Sequence, residues 1–303
     1  MQEVKSIWLD GELVPWEQAT VHVATHALHY GTGVFEGIRC YDGARGPALF
    51  RLDEHLVRLR SSAALIGLPE LPPHAELVRG CIDVVAANEL AECYLRPLAF
   101  AGYGELGVHS TANPLRLAIV AWPWSSYLGE AKRRDGLRAT ISSWQRVGPN
   151  TIPHAAKATG LYLNAALPGR DARAGGYDEA ILLAPDGTVA DATAQNVFVV
   201  RDGVVRTPAL ATGILPGITR TTAIALAQAA GLPVQEGPII RSDLLLADEV
   251  FLTSTAAEIV PVASIDAQPL AVGPVVRTIQ AAYEDAVRGR GAHPEWLTPL
   301  AAG

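Results

Sequence analysis

Hydrophobic and polar positions follow two different periods in the first third of the chain. Short apolar stretches flank the Asp-Gly pair at 10–11, and a second Asp-Gly pair stands at 42–43, so tight turns between short strands are expected at both places. From Asp53 onward apolar residues recur every three or four positions, and the same spacing returns at 77–85. The pattern therefore predicts two hairpins, two amphipathic helices, and then strands at 93–101 and 115–122.

The second half of the chain is richer in strands, and Asp-Gly pairs at 186–187 and 202–203 predict two more hairpin turns. An apolar helix is predicted over 221–230, ending before Gly231, with the sequence Leu-Pro-Gly-Ile-Thr-Arg just ahead of it. The backbone amides of Ile218 and Thr219 should therefore be free at a helix start, where phosphate binds well. Thr255 and Glu258 match a capping box and predict a further helix start with free amides and hydroxyls.

The segment 123–136 is polar and aperiodic, and it predicts a domain boundary. We expect an α/β (α+β) protein with a small mixed N-terminal domain at 1–122, an interdomain loop at 123–136, and a larger strand-rich domain at 137–303. A chain of 303 residues is long enough for about two domains of ordinary size.

Composition narrows the class of function. The chain has 49% hydrophobic and 18% charged residues and a formal charge of -7, so it should be globular, with no basic field for nucleic acid and no basic stretch for a membrane surface. The start lacks the features of a secretion signal, so a cytoplasmic protein acting on small molecules is expected. Three cysteines predict reduced, packed thiols, and His26 with His29 lacks the partners of a metal site.

Lys157 is the first candidate for chemistry, because it lies in the uncharged stretch 150–162, which predicts burial. Burial disfavours the ammonium form of a lysine and so produces a nucleophilic amine that can form a Schiff base. Taken alone, a lysine lying across apolar surface with its head group in water is the more common arrangement. Neighbouring residues along the chain are needed to decide between these two interpretations.

Several motifs occur together in a fixed order. They are the hairpin start, the Ala-Leu-His-Tyr-Gly block at 27–31 with Val-Phe-Glu-Gly-Ile-Arg at 34–39, Tyr-Leu-Arg-Pro-Leu at 94–98, Lys157, the strand at Asn196, and the block 215–220. In this order they resemble the branched-chain amino-acid aminotransferase family, of the fold-type IV class that uses pyridoxal 5'-phosphate. The resemblance extends from about Ile7 to Leu297, which is nearly the whole chain.

The resemblance implies transfer of the amino group of L-leucine, L-isoleucine or L-valine to 2-oxoglutarate in branched-chain amino-acid biosynthesis. It implies Lys157 as the catalytic Schiff-base lysine and a cofactor held between two domains in a homodimer, with a hexamer left open. The residues that would hold the cofactor are Arg58, Lys157, Tyr162, Asp191, Ile218, Thr219 and Thr255. Substrate-pocket positions are Tyr30, Phe35, Arg39, Tyr94, Arg96, Trp124, Tyr127 and Ala256, with Leu106 and Val108 in the apolar loop given by the partner subunit.

The chain departs from the family pattern at Asp191, where the family has a glutamate facing the ring nitrogen of the cofactor. Aspartate is one methylene shorter, so the ion pair would lengthen unless the backbone moves inward. Gln195 also replaces a residue that is usually acidic in the family.

Two alternatives therefore stay open at this stage. One is a D-amino-acid or (R)-amine transaminase or aminodeoxychorismate lyase of the same fold, against which the blocks at 94–98 and 35–39 argue. The other is a pyridoxal-phosphate-binding protein whose catalysis is impaired at Asp191.

Overall fold

The computed structural model describes residues 2–124 and 129–300. The chain divides into two compact units, the first made of Met1–Ser125, Ala156–Leu161 and Ala286–Gly303, the second of Ser126–Ala155 and Tyr162–Asp285. The short segment that carries Lys157 thus belongs to the first unit, although the chain on either side of it belongs to the second.

The first unit contains an antiparallel sheet. Among the described residues its strands, numbered along the chain, are β1 Ser6–Leu9, β2 Glu12–Pro15, β3 Gly33–Phe35, β4 Ile38–Gly43, β5 Gly46–Phe50, β6 Cys93–Ala101, β7 Leu115–Pro123 and β17 Leu297–Pro299. They are arranged in the order β17-β5-β4-β6-β7-β1-β2, with β3 also paired to β6. The long strand β6 is central, and it carries residues of the predicted substrate pocket.

Three helices accompany this sheet: α1 His26–Tyr30, α2 Leu52–Leu65 and α3 His74–Ala87. Helix α2 buries Leu52, Leu56 and Leu59, and this spacing of three to four residues places the side chains on one face. Helix α3 likewise buries Leu77 and Cys81 one turn apart. The two amphipathic helices predicted from the sequence are confirmed, together with the strands at 93–101 and 115–122.

The second unit is built on a larger mixed sheet. Its described strands are β8 Leu137–Gln145, β9 Glu179–Leu183, β10 Val189–Ala192, β11 Asn196–Arg201, β12 Val204–Pro208, β13 Val234–Gly237, β14 Glu249–Ser254, β15 Glu258–Ile265 and β16 Gln268–Pro269. Their order is β10-β9-β8-β15-β14-β11-β12-β13, with β16 on β15. An additional pairing of β10 with β11, between Asp191 and Asn196, joins the two ends of a six-strand path and closes it into a ring.

The core of this unit consists of aliphatic side chains from the inner face of the sheet, among them Ile181, Val197, Leu252 and Val260. Its helices are α4 Gly129–Asp135, α5 Leu163–Ala174, α6 Ile218–Ala229, α7 Arg241–Leu245 and α8 Pro274–Val287. Helices α5 and α6 are the two that begin at predicted cofactor residues.

Several local predictions can be compared with these elements. The Asp-Gly pairs at 10–11, 186–187 and 202–203 lie between paired strands, as predicted, whereas the pair at 42–43 ends β4 and the turn follows it. The segment 123–136 contains helix α4 rather than only loop, and α6 begins at Ile218, three residues before the predicted start. The three cysteines are free and buried, as expected.

The capping-box prediction at Thr255 and Glu258 is wrong. Thr255 lies in the turn between β14 and β15, and Glu258 is the first residue of β15, paired in register with Ser254. Glu258 has a φ of 63° and forms an ion pair with Arg133 at 3.1 Å. Cross-strand pairing of two apolar strands outweighs a short polar motif that fits a helix start equally well. No helix within 2–124 and 129–300 is long and apolar enough to cross a membrane.

Candidate active site

Lys157 is held by its backbone in the first unit. Its amide donates to the Ser62 hydroxyl at 3.0 Å, and its carbonyl accepts from the Phe35 amide at 3.0 Å. The side chain is half-buried rather than enclosed as the uncharged sequence predicted, and its Nζ lies 5.3 Å from the centre of the Phe35 ring. The backbone of this segment is therefore fixed on α2 and β3, and the amine lies beside the Phe35 ring.

A buried ionic cluster accompanies this lysine. The Arg58 guanidinium donates to both oxygens of Glu36, at 2.6 and 2.8 Å, and His55 Nδ1 lies 2.7 Å from the same carboxylate. Burial alone would raise the pKa of Glu36, but the charge of Arg58 and the hydrogen bonds from both partners outweigh it and hold that pKa well below its ordinary value. Burial lowers the pKa of His55, so we assign it as neutral, with Nδ1–H donating to the carboxylate.

Four predicted substrate residues come together on one face of the first unit. The Arg96 guanidinium lies over the Phe35 ring at 4.6 Å and over the Tyr94 ring at 5.5 Å, and Tyr94 contacts Trp124 with ring centres 5.2 Å apart. A side chain at Gly37 would overlap the Tyr94 hydroxyl, so glycine is required there. These residues form an aromatic surface against which the Arg96 guanidinium lies.

The other predicted substrate residues of the first unit are more scattered. Arg39 is the register partner of Tyr94 and therefore lies on the same sheet face, but it is buried, with its guanidinium 4.5 Å from the Tyr41 ring centre. Tyr30 donates through its hydroxyl to the Leu106 carbonyl at 2.8 Å. Leu106 and Val108 are exposed, and Tyr127 lies outside the described residues.

In the second unit, Asp191 is buried at the closure of the six-strand ring. Its Oδ1 forms an ion pair with Arg146 Nε at 3.4 Å, and this oxygen has no hydrogen-bond partner among the described residues. Burial raises the pKa of Asp191 to about 6, although the charge of Arg146 and a hydrogen bond from the Leu215 amide oppose the shift. A buried carboxylate with an empty acceptor position calls for a cationic donor.

The start of helix α6 forms the second cofactor group. Gly217 is the N-cap and Ile218 and Thr219 are the first two helical residues, so their amides have no acceptor within the helix, as the sequence predicted. Asn196 donates to the Leu215 carbonyl at 3.0 Å and lies so close to Gly217 that any Cβ there would overlap it. Helix α6 packs against β14, whose end leads into the turn with Thr255 and Ala256.

Tyr162 ends a single 3₁₀ turn, Thr159–Tyr162, and is the N-cap of helix α5.

Two further residues of the second unit were not found from the sequence. Arg146 follows β8 and is 7% exposed, and His154 is equally buried, with neither ring nitrogen hydrogen-bonded among the described residues. Burial and the charge of Arg146 lower the pKa of His154. The sequence carries no signal that separates a buried arginine or histidine from the common exposed ones.

The donor set fits pyridoxal phosphate. Asp191 Oδ1 is a buried acceptor suited to a protonated ring nitrogen, and the first amides of α6 suit a phosphate. Lys157 supplies a primary amine, and Arg58 a guanidinium oriented by Glu36. These are the chemical groups that the cofactor's charged and reactive atoms require.

Comparison with known proteins also indicates a pyridoxal-phosphate enzyme. The family model for class IV amino-transferases matches residues 33–265. The branched-chain-amino-acid aminotransferase of Salmonella typhimurium is 46% identical over 299 residues, 97% of each chain, and that of Escherichia coli K12 is 47% identical over 281 residues, 91% of each.

Solved structures agree. The crystal structure of the Escherichia coli branched-chain amino acid aminotransferase superposes with a TM-score of 0.96 at 44% identity, covering 99% of this chain and all of that one. The pyridoxal-phosphate form of the enzyme from Thermobaculum terrenum gives 0.92, at 37% identity and the same coverage. The predictions of a fold-type IV protein, of an aminotransferase and of its cofactor are confirmed. The chain belongs to the class IV family of pyridoxal-phosphate-dependent aminotransferases.

Proposed function

We propose that this aminotransferase moves the amino group of L-leucine, L-isoleucine or L-valine to 2-oxoglutarate, with Lys157 as the catalytic residue. One observation carries the substrate assignment: the Lys157 amine and the Arg96 guanidinium both lie against the Phe35 ring, 5.3 and 4.6 Å from its centre. An aliphatic side chain can pack on such a ring, and a carboxylate can pair with the guanidinium beside it. The relatives named above act on the same class of amino acid.

Pyridoxal phosphate supplies an electron sink for the carbanion that forms when the substrate Cα loses its proton. In our proposal the Lys157 amine would take that proton and return it as the general base and acid. Arg58, the amides of Ile218 and Thr219, and Thr255 would bind the phosphate of the cofactor. Asp191 would hold its ring nitrogen protonated, and Tyr162 would donate to its ring oxygen.

Arg96 explains how one pocket can accept two unlike donors. The γ-carboxylate of glutamate needs a cation, whereas the branched side chains need an apolar wall. The guanidinium lies 4.6 Å from the centre of the Phe35 ring and 5.5 Å from that of Tyr94, and its Nε has no hydrogen-bond partner among the described residues. It can therefore pair with glutamate without blocking the aromatic wall used by leucine.

We also propose a homodimer that works in the cytoplasm. Large apolar side chains, Val23, Leu28, Leu106 and Val108, are exposed in the first unit. A partner subunit that covered these side chains would remove their apolar surface from water. The Tyr30 hydroxyl donates to the Leu106 carbonyl and so links the loop that carries Leu106 to helix α1.

The primary test is the visible absorption of the purified protein with pyridoxal phosphate, recorded before and after addition of L-leucine, L-valine, L-glutamate or D-alanine. We expect the band of the lysine-bound cofactor to disappear with the three L-donors. Disappearance with D-alanine alone would assign a D-amino-acid enzyme, and a band that no donor changes would indicate a cofactor-binding protein with impaired catalysis.

The role of Arg96 is tested by Arg96→Gln, with the exposed Arg45→Gln as the control. We expect kcat/KM for L-glutamate to fall by about 100-fold and that for L-leucine by less than about 10-fold, since a charged hydrogen-bonded pair is worth about 1.5–3 kcal/mol. Equal losses for both donors would contradict the assignment of Arg96 to the γ-carboxylate.

A further inference from the structure

Glu179, the first residue of β9, is a buried carboxylate with no part in the mechanism above. It accepts four hydrogen bonds, from the Ala180 amide at 2.8 Å, the Thr193 amide at 3.3 Å, the Thr193 hydroxyl at 2.6 Å and the Gln195 side-chain amide at 2.8 Å. Three of these four donors lie on one short turn. A carboxylate with so many donors is fixed in position and can in turn fix them.

That turn joins β10 to β11 directly after Asp191. The Ala192 amide donates to the Gln195 carbonyl at 2.8 Å, and Asp191 pairs with Asn196 as the single register pair between the two strands. The ring of six strands is thus closed by one residue pair and a turn that Glu179 holds through Thr193 and Gln195. The backbone of Asp191 leads directly into this turn, so its position depends on the contacts of Glu179.

The position of this backbone matters because the Asp191 side chain is short. Arg146 Nε is 3.4 Å away and makes no hydrogen bond to Oδ1, so Arg146 supplies charge without fixing the direction of the carboxylate. An aspartate has only two side-chain torsions, and the distance its oxygen reaches is set by its Cα. Any movement of the turn is therefore transmitted directly to Oδ1.

We propose that Glu179 is a positioning residue, which holds the turn at Thr193–Gln195 so that Asp191 reaches the ring nitrogen of pyridoxal phosphate. This inference rests on the proposed role of Asp191. Glu179 does not act as an acid or base, because its oxygens are occupied by the turn. Gln195 is the second residue of the turn that Glu179 holds, because its side-chain amide donates to the Glu179 carboxylate. An acidic residue at position 195 would place two carboxylates side by side.

The test compares four variants with the wild type. Glu179→Ala removes all four bonds. Glu179→Gln is the conservative variant. Its side-chain oxygen can accept the hydrogen bonds from Thr193, and its side-chain amide can donate to Gln195 Oε1 after the Gln195 amide group rotates by half a turn. Thr193→Val removes only the shortest bond and serves if Glu179→Ala does not fold. Asp186→Asn is the matched control, since Asp186 holds the neighbouring turn through Thr188 at 3.0 and 2.7 Å.

Three quantities are measured: the Kd for pyridoxal phosphate, the pH midpoint of the bound cofactor's visible band, and hydrogen exchange of the Thr193 amide in the cofactor-free protein. For Glu179→Ala we expect the Kd and the exchange rate each to rise by about ten-fold or more and the midpoint to move, with a smaller change of the same sign for Thr193→Val. Glu179→Gln and Asp186→Asn should stay within about three-fold of the wild type.

Wild-type Kd and midpoint in Glu179→Ala would overturn the proposal, as would equal changes in Asp186→Asn. A wild-type protein that binds no pyridoxal phosphate would instead contradict the proposed function. The exchange measurement would then still decide whether Glu179 holds the turn, because it is made without cofactor.

Discussion

The buried charge of Asp191 should lower the free energy of unfolding of the cofactor-free protein at neutral pH, and removing that charge should raise it. Burial raises the pKa of this carboxyl to about 6 in the folded protein, from 3.8 when unperturbed. The folded state therefore holds the proton more tightly than the unfolded chain. Stability from this group is fully present below about pH 4 and is lost as the pH rises through about 6.

The difference between 3.8 and about 6 corresponds to about 3 kcal/mol at pH 8, and about half of that at pH 5. Asp191→Asn keeps the size of the side chain and removes the charge. We expect the cofactor-free variant to be more stable than the wild type by up to about 3 kcal/mol at pH 8, with the advantage shrinking as the pH falls.

The assay is urea unfolding of both cofactor-free proteins at pH 8 and pH 5. The dependence of the unfolding free energy on urea concentration must be the same for both proteins, so that their stabilities can be compared. With pyridoxal phosphate present the wild type should gain more stability than Asp191→Asn, because the protonated ring nitrogen supplies a partner for the Asp191 carboxylate, whereas the variant would hold the cofactor only through the other predicted residues. A variant that is less stable at pH 8, or a difference that does not change with pH, would refute the reasoning and mean that hydrogen bonds already satisfy Asp191.

Two further predictions concern other parts of the molecule. Arg58→Met removes the guanidinium from the buried Glu36, which keeps only the hydrogen bond from His55, so the free energy of unfolding should fall by about 3–5 kcal/mol. In urea unfolding the double variant with Glu36→Gln should regain part of this loss. Equal losses in the single and the double variant would contradict the ion pair. Val108→Asp should shift the protein toward monomer in light scattering, whereas Val57→Asp, a change at an exposed position of helix α2, should not. A Val108→Asp protein that remains dimeric would show that this loop is not part of the interface.

Much of the local structure followed from the sequence. Helices α2 and α3 and strands β6 and β7 were predicted because their apolar positions repeat with the period of the element, and tertiary packing used that same face. The error at Thr255 arose because a polar triplet beside an apolar run fits a helix cap and a hairpin turn equally well. The pairing of Ser254 with Glu258 decides between them, and it depends on two strands meeting.

The order of motifs along the chain was enough to identify the family of this protein, and it predicted Lys157, Arg96 and Asp191 as reactive groups. Contacts in the folded structure show how these residues are supported. Glu36 lies next to Arg58, and Glu179 next to Thr193, after separations of 22 and 14 residues. A partner so distant in sequence leaves no periodic pattern, because the contact depends on how strands and helices pack.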